Sequence, residues 1–373
     1  MSGLTVLHLN TETGWRGGEA QTLLLARGLR ERGHVSIIAT PPGSPLGERA
    51  RAAGLDVRAV RMRGEFDLRA VFALARLMRA CRPDVLHYHT SHAITLGALA
   101  GLAAGFASRR PPAVLSRRVS FSLRRNPLAR LKYRFRIDHI IAVSDGVRWV
   151  LIAEGLAPEK ITVIHSGIDL SAFAPSRVAG ERFRREAGVP EGAPLIGSVG
   201  ALVPHKGHCH LLEAMVGPAA RQPGLRLALV GVGPLLGELR RQSADLGLEG
   251  RVVFAGFRAD MPAVIPAFDL LVLPSVSGEG SPAVVKEAMA CGVPVVATEL
   301  DGVREIVEDG SEALLVPPGD AARLSEAIER VLSDEPLRRR MIEGARTKVR
   351  DYSADRMVER TIEAYERLLR GSR

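Results

Sequence analysis

The sequence predicts an α/β protein made of two doubly wound, Rossmann-like domains joined end to end. Short apolar runs alternate with helical stretches along its whole length, the pattern of parallel strands covered by crossover helices. The alternation restarts after a turn-rich segment near the middle. A length of 373 residues exceeds one core of ordinary size, so two domains of roughly 150 to 200 residues are expected.

Thr5–Leu9 reads as the first strand, followed by a glycine-bearing loop, Gly14-Trp15-Arg16-Gly17-Gly18, and a helix over Glu19–Arg32 with Leu24, Leu25 and Leu29 as its apolar residues. Val35–Ala39, Val57–Val60 and Val85–His89 give three more strands, and Leu115 and Ile140–Val143 lie in later ones. The longest uncharged stretch, Ala93–Ala107, is rich in Ala and Gly. It is shorter than the roughly 20 residues a spanning helix needs, so it reads as a buried helix. The segment His165–Pro175 is full of turn formers and suits a linker. Beyond it, Leu195–Val199, Arg226–Val230, Val252–Ala255, Leu270–Leu273, Val293–Ala297 and Ala313–Val316 are short apolar strands separated by helical stretches. The expected organisation is a first domain over 1–170, a second over 171–350, and a terminal segment 351–373. Its amphipathic helix, Ala354–Leu369, is expected to pack back on the first domain. Domains of this kind bind ligands at the carboxyl ends of their strands, where loops and helix N-termini converge.

Composition narrows the function. With 46% hydrophobic and 25% charged residues the chain fits a soluble globular protein. Cys81, Cys209 and Cys291 are odd in number and scattered, which suggests a reducing cytoplasm. Met1–Asn10 reads as a strand and not as a signal peptide. The net charge of +10 is concentrated: Arg109–Arg136 holds ten basic residues and no acid. An anionic membrane surface or a phosphorylated acceptor is the expected partner of that segment, with a solvated loop and helix face as the plain alternative. Aromatic residues at 4% leave little for base stacking, so no nucleic acid is expected.

The most informative stretch is Ser277–Gly292. Pro274 stops a strand, Ser281-Pro282 is expected to open a helix with serine as the cap, and Gly292 to end it. Glu279 then lies in the loop and Glu287 about one and a half turns inside the helix, roughly 9 Å along the axis from Ser281. That is too far for two carboxylates to share a proton and suits a grip on two ends of one ligand. Helix amides near Gly280 and Ser281 offer an anion site between them. A nucleotide sugar has that layout. Gly17-Gly18 follows the first strand and opens a helix, which favours phosphate contact over a plain turn. The clusters His87, His89, His92 and His205, His208, His210 lack a carboxylate or cysteine in sequence, so no metal is expected on them. There is also no Asp-x-Asp anywhere in the sequence, the usual ligand set for a diphosphate-bound Mg²⁺.

The run from Pro274 to Thr298, P-S-V-S-G-E-G-S-P-A-V-V-K-E-A-M-A-C-G-V-P-V-V-A-T, resembles the Glu-x7-Glu signature of retaining glycosyltransferases of family 4, which have the GT-B fold. Gly302-Val-Arg-Glu-Ile-Val307, Leu315-Val-Pro-Pro-Gly-Asp320, Val199-Gly-Ala-Leu-Val-Pro-His-Lys-Gly207, Val230-Gly-Val-Gly-Pro234 and Ile164-His-Ser-Gly-Ile-Asp169 continue the family's order. The resemblance implies that Glu279 binds hydroxyls of a donor sugar, Glu287 the ribose hydroxyls and Lys206 the diphosphate. It places Gly17 and Gly18 against that diphosphate, Gly231, Gly233 and Phe257 in the nucleotide wall, and Gly280 and Ser281 towards the phosphates. His89 matches an active-site histidine that contacts the sugar, which makes Glu279, Lys206 and His89 the expected catalytic set. His92, Arg117 and Arg118 are acceptor-side candidates. The family often has an arginine where this chain has Ala201, and His205 and Arg304 are the substitutes considered.

The expected activity is therefore retaining sugar transfer from a nucleotide diphosphate sugar to an acceptor hydroxyl, without a metal or other cofactor. The acceptor would be a lipid-linked, phosphorylated or polysaccharide precursor of the cell envelope, met in the cytoplasm or peripherally on the inner face of its membrane. The alternatives are a nucleotide-sugar epimerase of the same architecture and a non-catalytic nucleotide-sugar-binding protein.

Overall fold

The computed structural model describes residues 3–106, 110–118, 133 and 137–371, with the side chain of residue 177 left aside. The chain divides into two units, Met1–Gly167 together with Ala354–Arg373, and Ile168–Ser353.

The first unit carries a seven-stranded sheet in the order β3-β2-β1-β4-β5-β6-β7. Its strands are β1 (Thr5–Leu9), β2 (Val35–Thr40), β3 (Asp56–Ala59), β4 (Val85–Tyr88), β5 (Ala113–Arg117), β6 (His139–Ala142) and β7 (Ile161–Val163). All pairings are parallel. The order reverses between β1 and β4, where Val6 pairs with Val85 and Leu9 with Tyr88. That switch point opens a crevice at the carboxyl ends of these two strands. Side-chain alternation sorts the core to the two faces. Leu7, Leu9, Ile37, Leu86 and Leu115 pack with Leu74, Met78, Ile94 and Leu96. Val6, Val85, Val114 and Ile141 pack with Leu25, Leu29, Met357, Val358 and Tyr365.

The helices of this unit begin where their sequences offer caps. Ser44 accepts from Gly47 N at 3.2 Å ahead of Pro45–Ala52, Asp67 from Ala70 N at 3.2 Å ahead of Leu68–Cys81, and Ser144 from Val147 N at 3.2 Å ahead of Asp145–Ala153. The helix Ala354–Gly371 lies against Gly17–Glu31 at Gly28, where a Cβ would come within 2.5 Å of Val358 Cγ2. Arg32 adds an exposed ion pair to Asp355 at 2.8 Å.

The second unit carries a six-stranded parallel sheet in the order β10-β9-β8-β11-β12-β13. Its strands are β8 (Leu195–Val199), β9 (Arg226–Val230), β10 (Val252–Gly256), β11 (Leu270–Leu273), β12 (Val295–Thr298) and β13 (Leu314–Val316). Its switch point lies between β8 and β11, where Ile196 pairs with Leu270. One face buries Val230, Leu271, Ala297, Val285 and Met289, the other Ile196, Leu229, Val272, Leu212 and Ile328.

The turn-rich segment His165–Pro175 is shared between the units. Both backbone polar groups of Gly167 are held by Gln21, at 2.7 and 2.9 Å, within the first. Ile168 N donates to Tyr352 O at 2.9 Å and Phe173 is buried within the second. Among the described residues no helix is long and apolar enough to cross a membrane.

Candidate active site

The crevice of the second unit is formed by the loops after β8 and β11. β8 runs into Gly200, Ala201 and a 3₁₀ turn, Pro204–Lys206, which ends at Gly207 in the left-handed region with φ 64°. A Cβ on Gly207 would fall 2.0 Å from the carbonyl oxygen of Pro274, so only glycine lets the two loops meet there. Val276 N donates to His205 O at 2.9 Å and joins the same loops from the other side.

This scaffold presents Lys206 to Glu279, with Nζ to Oε1 at 2.5 Å. Ser275 Oγ donates to the same carboxylate oxygen, also at 2.5 Å. The Glu279 side chain is only 7% exposed and that of Lys206 23%, so the pair is largely shielded from water and its charge interaction exceeds the surface value. In this arrangement each charge neutralises the other. An anionic ligand reaching Lys206 would take over its donors and leave Glu279 two oxygens for neutral hydroxyls.

The helix after this loop spans Ala283–Cys291, with Pro282 at the N-cap position and Gly292 as its left-handed C-cap. The expected serine cap is therefore corrected. Ser281 lies one residue outside, and its Oγ accepts from Lys286 Nζ at 2.7 Å. Lys286 is fully buried, its Nζ also 4.9 Å from the Tyr352 ring centroid. Burial pushes its ammonium down to about 7 against the attraction of Glu287 and Glu305. Glu287 is partly buried; desolvation pushes its carboxyl up to about 7, with Lys286 opposing.

Gly280 is buried, and a Cβ on Gly302 would come within 2.3 Å of Glu279 O, so the loop after β12 closes directly on the carboxylate-bearing turn. Gly231 and Gly233 are occupied by backbone approach, their Cβ positions lying 1.9 and 2.3 Å from the carbonyl oxygens of Gly200 and Leu202. Phe257, just after β10, is 55% exposed. Ala201 and His205 are exposed, and Arg304 is paired with Glu299.

The first unit gathers a different set at its switch point. His8 on β1, His87 on β4 and His89 just beyond it are all buried. His87 and His89 stack with centroids 4.2 Å apart. His89 Nδ1 lies 3.3 Å from Arg118 Nη2, and His89 Nε2 lies 3.0 Å from His8 Nδ1. A guanidinium only donates, so His89 accepts at Nδ1, carries its proton on Nε2 and donates to His8. His8 is left with its proton on Nε2, which is buried and has no partner among the described residues. His87 is held by Tyr365 Oη at 2.5 Å and Ser116 Oγ at 2.8 Å.

Burial, aided by the nearby Arg118 charge, lowers His8 to about 3. Burial also holds His87 and His89 well below the ordinary histidine range. The ligand nitrogens of the three imidazoles fall within 4.8 Å of one another, a spacing that can hold a metal ion. The Arg118 guanidinium beside them opposes a second cation. Both nitrogens of His89 are thus engaged within the unit. His92 is exposed near the start of Ser91–Ala103, and Arg117 donates to Tyr133 Oη at 3.2 Å. Gly17 and Gly18 open the helix Gly17–Glu31 and have nothing within 4 Å of their Cβ positions. Asn10 and Glu19 brace that loop, Nδ2 to Oε1 at 3.2 Å, while Glu19 Oε2 accepts from Arg16 N at 3.0 Å. Most of Arg109–Arg136 lies outside the described residues.

Sequence reasoning missed His8, Asn10 and Lys286. The signal available for the first two was polarity at the end of β1, where a buried strand otherwise reads apolar.

Sequence profiles of two families match. "Glycosyl transferases group 1" covers residues 180–348 and "Glycosyltransferase Family 4" residues 15–172. The chain is 32% identical to the 2-deoxystreptamine N-acetyl-D-glucosaminyltransferase of Streptomyces fradiae, over 94% of this chain and 90% of that protein. It is 37% identical to the lipopolysaccharide core biosynthesis glycosyltransferase LpsE of Rhizobium meliloti, over 50% of this chain and 52% of the relative. It spans about half the length of several curated relatives it matches. The crystal structure of Anabaena Alr3699/HepE in complex with UDP-glucose superposes with a TM-score of 0.86 at 25% identity, covering 97% of this chain and 99% of that one.

Proposed function

That the chain belongs to the family 4 glycosyltransferases, with two Rossmann-like domains of the GT-B kind, is the premise from which we propose its reaction. It transfers a sugar, with retention at the anomeric carbon, from a nucleotide diphosphate sugar to an acceptor hydroxyl. The observation that carries this reading is the Lys206–Glu279 pair at the β8–β11 switch point, with Glu287 on the helix that follows. On donor binding Lys206 turns to the diphosphate and stabilises the charge that grows on the leaving group. Glu279, released, accepts from sugar hydroxyls, and Glu287 from the ribose. The absence of Asp-x-Asp from the sequence supports a reaction that needs no diphosphate-bound metal.

The first unit is assigned to the acceptor, a lipid-linked or phosphorylated precursor of the cell envelope, in keeping with the LpsE relative. Its helix Leu68–Cys81 supports contact with an anionic membrane. Leu68 and Phe72 are 64% and 65% exposed, and Arg69, Arg76 and Arg79 share the exposed side with no acid among them.

Purified protein incubated with a panel of nucleotide sugars and a cell-envelope extract tests the reading: free nucleoside diphosphate and a new glycoside of unchanged anomeric configuration are expected. A converted sugar nucleotide without acceptor would indicate an epimerase, and binding without turnover a sensor. Full transfer by Glu279→Ala would remove that residue from the mechanism. Equal sedimentation with neutral and anionic vesicles at low salt would remove the membrane part.

A further inference from the structure

Lys286 occupies a position that favours an apolar side chain. It lies in the helix Ala283–Cys291 among the buried residues Val285, Ala288 and Met289, and its own exposure is zero. A methionine of similar length would fill the space without the desolvation cost of an ammonium. The ammonium is nonetheless provided for, by Ser281 Oγ at 2.7 Å, by the Tyr352 ring and by the carboxylates of Glu287 and Glu305.

We propose that Lys286 is a positioning residue for the donor's diphosphate, acting through the hydroxyl of Ser281. In its charged form the ammonium has three donors and no acceptor, so Ser281 Oγ then accepts from it. The single O–H of Ser281 then turns away from Lys286, strengthened as a donor by the charge behind it. Ser281 is itself partly exposed and follows Glu279 by two residues, so the polarised hydroxyl belongs to the same loop as the carboxylate that Lys206 holds. Ala201 carries only a methyl group on the loop after β8. A positive influence that this loop does not supply beyond Lys206 is delivered from inside the fold, one hydrogen bond removed from solvent. The inference rests on the proposed donor site.

The test uses the intact chain at pH 6, where Lys286 carries its proton, and calorimetric titration with UDP, GDP, ADP and dTDP. The one bound tightest by the wild type is then compared with its nucleoside monophosphate in K286M, S281A and the double variant. Each single substitution is expected to weaken the diphosphate about tenfold or more and the monophosphate less than about twofold, with K286M melting no lower than the wild type. The double variant is expected to bind no worse than S281A alone, because the lysine acts through that hydroxyl. Unchanged diphosphate affinity in K286M, equal losses for both nucleotides, or additive losses in the double variant would each overturn the inference while the donor site stands. Should K286M not fold, S281A decides, and unchanged diphosphate affinity in it overturns the inference. Binding of none of the four by the wild type overturns the donor reading and this inference with it.

Discussion

At the end of β1 and β4, three imidazoles are packed out of water; one guanidinium fixes the protons of His89 and, through it, His8, while two hydroxyls hold His87. At the end of β8 and β11, the same place in the second sheet's topology, a lysine and a glutamate face each other at 2.5 Å, with a second lysine buried in the helix that follows. One switch point is thus built mainly from neutral dipoles and the other from opposed full charges. Neutral imidazoles hold a fixed pattern of donors and acceptors without attracting counter-ions, which suits an uncharged hydroxyl. A neutralised ion pair can be reopened by a stronger anion, which suits a diphosphate. Shared topology fixes where a ligand can sit, and the side chains at strand ends decide what kind.

The largest effect that separates the two is catalytic. Lys206→Ala is expected to lower kcat about 10²- to 10³-fold, measured as nucleoside diphosphate released at saturating donor. His8→Phe, which removes no charge, is expected to cost about tenfold or less, and equal losses would break the comparison.

Acid should separate them next. His8, held at about 3 when folded, binds its proton near pH 6.5 when unfolded. The unfolded state therefore holds more protons between those values, and stability is lost as pH falls below 6.5. This amounts to roughly 3 kcal/mol by pH 4.5 from that group alone. Hydrogen exchange resolved to peptides of each unit should show the first opening preferentially between pH 6.5 and 4.5, and simultaneous opening would count against the neutral cluster.

Base acts on the other unit with the opposite sign. Lys286 is held at about 7, so between 7 and 10.5 the unfolded chain binds the extra proton and stability rises with pH. Glu287, raised to about 7, holds its extra proton in the folded state between 4.5 and 7, so its contribution falls across that window and is largely spent by then. A gain of about 2 kcal/mol between pH 7 and 9 is expected in the second unit, absent in K286M, from urea midpoints followed by the same exchange readout. The smallest effect is expected at the surface. Arg32→Ala, which loses exposed pairs to Asp355 and Glu359, should cost about 1 kcal/mol or less in thermal unfolding, and a larger loss would mean that the first unit depends on charge after all.

Much of this contrast was written locally. Thr5–Leu9, Leu195–Val199, Arg226–Val230 and Leu270–Leu273 are short apolar runs closed by polar, glycine or proline residues, and each strand has those limits in the structure. Ile161–Val163 escaped notice because three residues give no period to read. Glu279 and Lys206 stood out through motif order. His8 did not, because its partner His89 is 81 residues away and only the β1–β4 pairing joins them. Lys286 was hidden by a sound default, that lysines face water, which fails where neighbouring groups hold the charge in place. The reading of Ser281 as a cap failed for the same reason: a buried ammonium outcompetes backbone amides for its oxygen.

The helix Ala354–Gly371 covers Val6, Val85, Val114 and Ile141, strand residues made far earlier in the chain. During synthesis the ribosome must add everything from Ile168 to Ser353 before that cover exists. At about 5 to 20 residues per second, this leaves that face of the first sheet with only the cover of Leu25 and Leu29 for roughly 10 to 40 s. The second unit, continuous in sequence, meets no such delay, so the half that emerges later is free to mature sooner. The nascent first half is the part with most to gain from a chaperone.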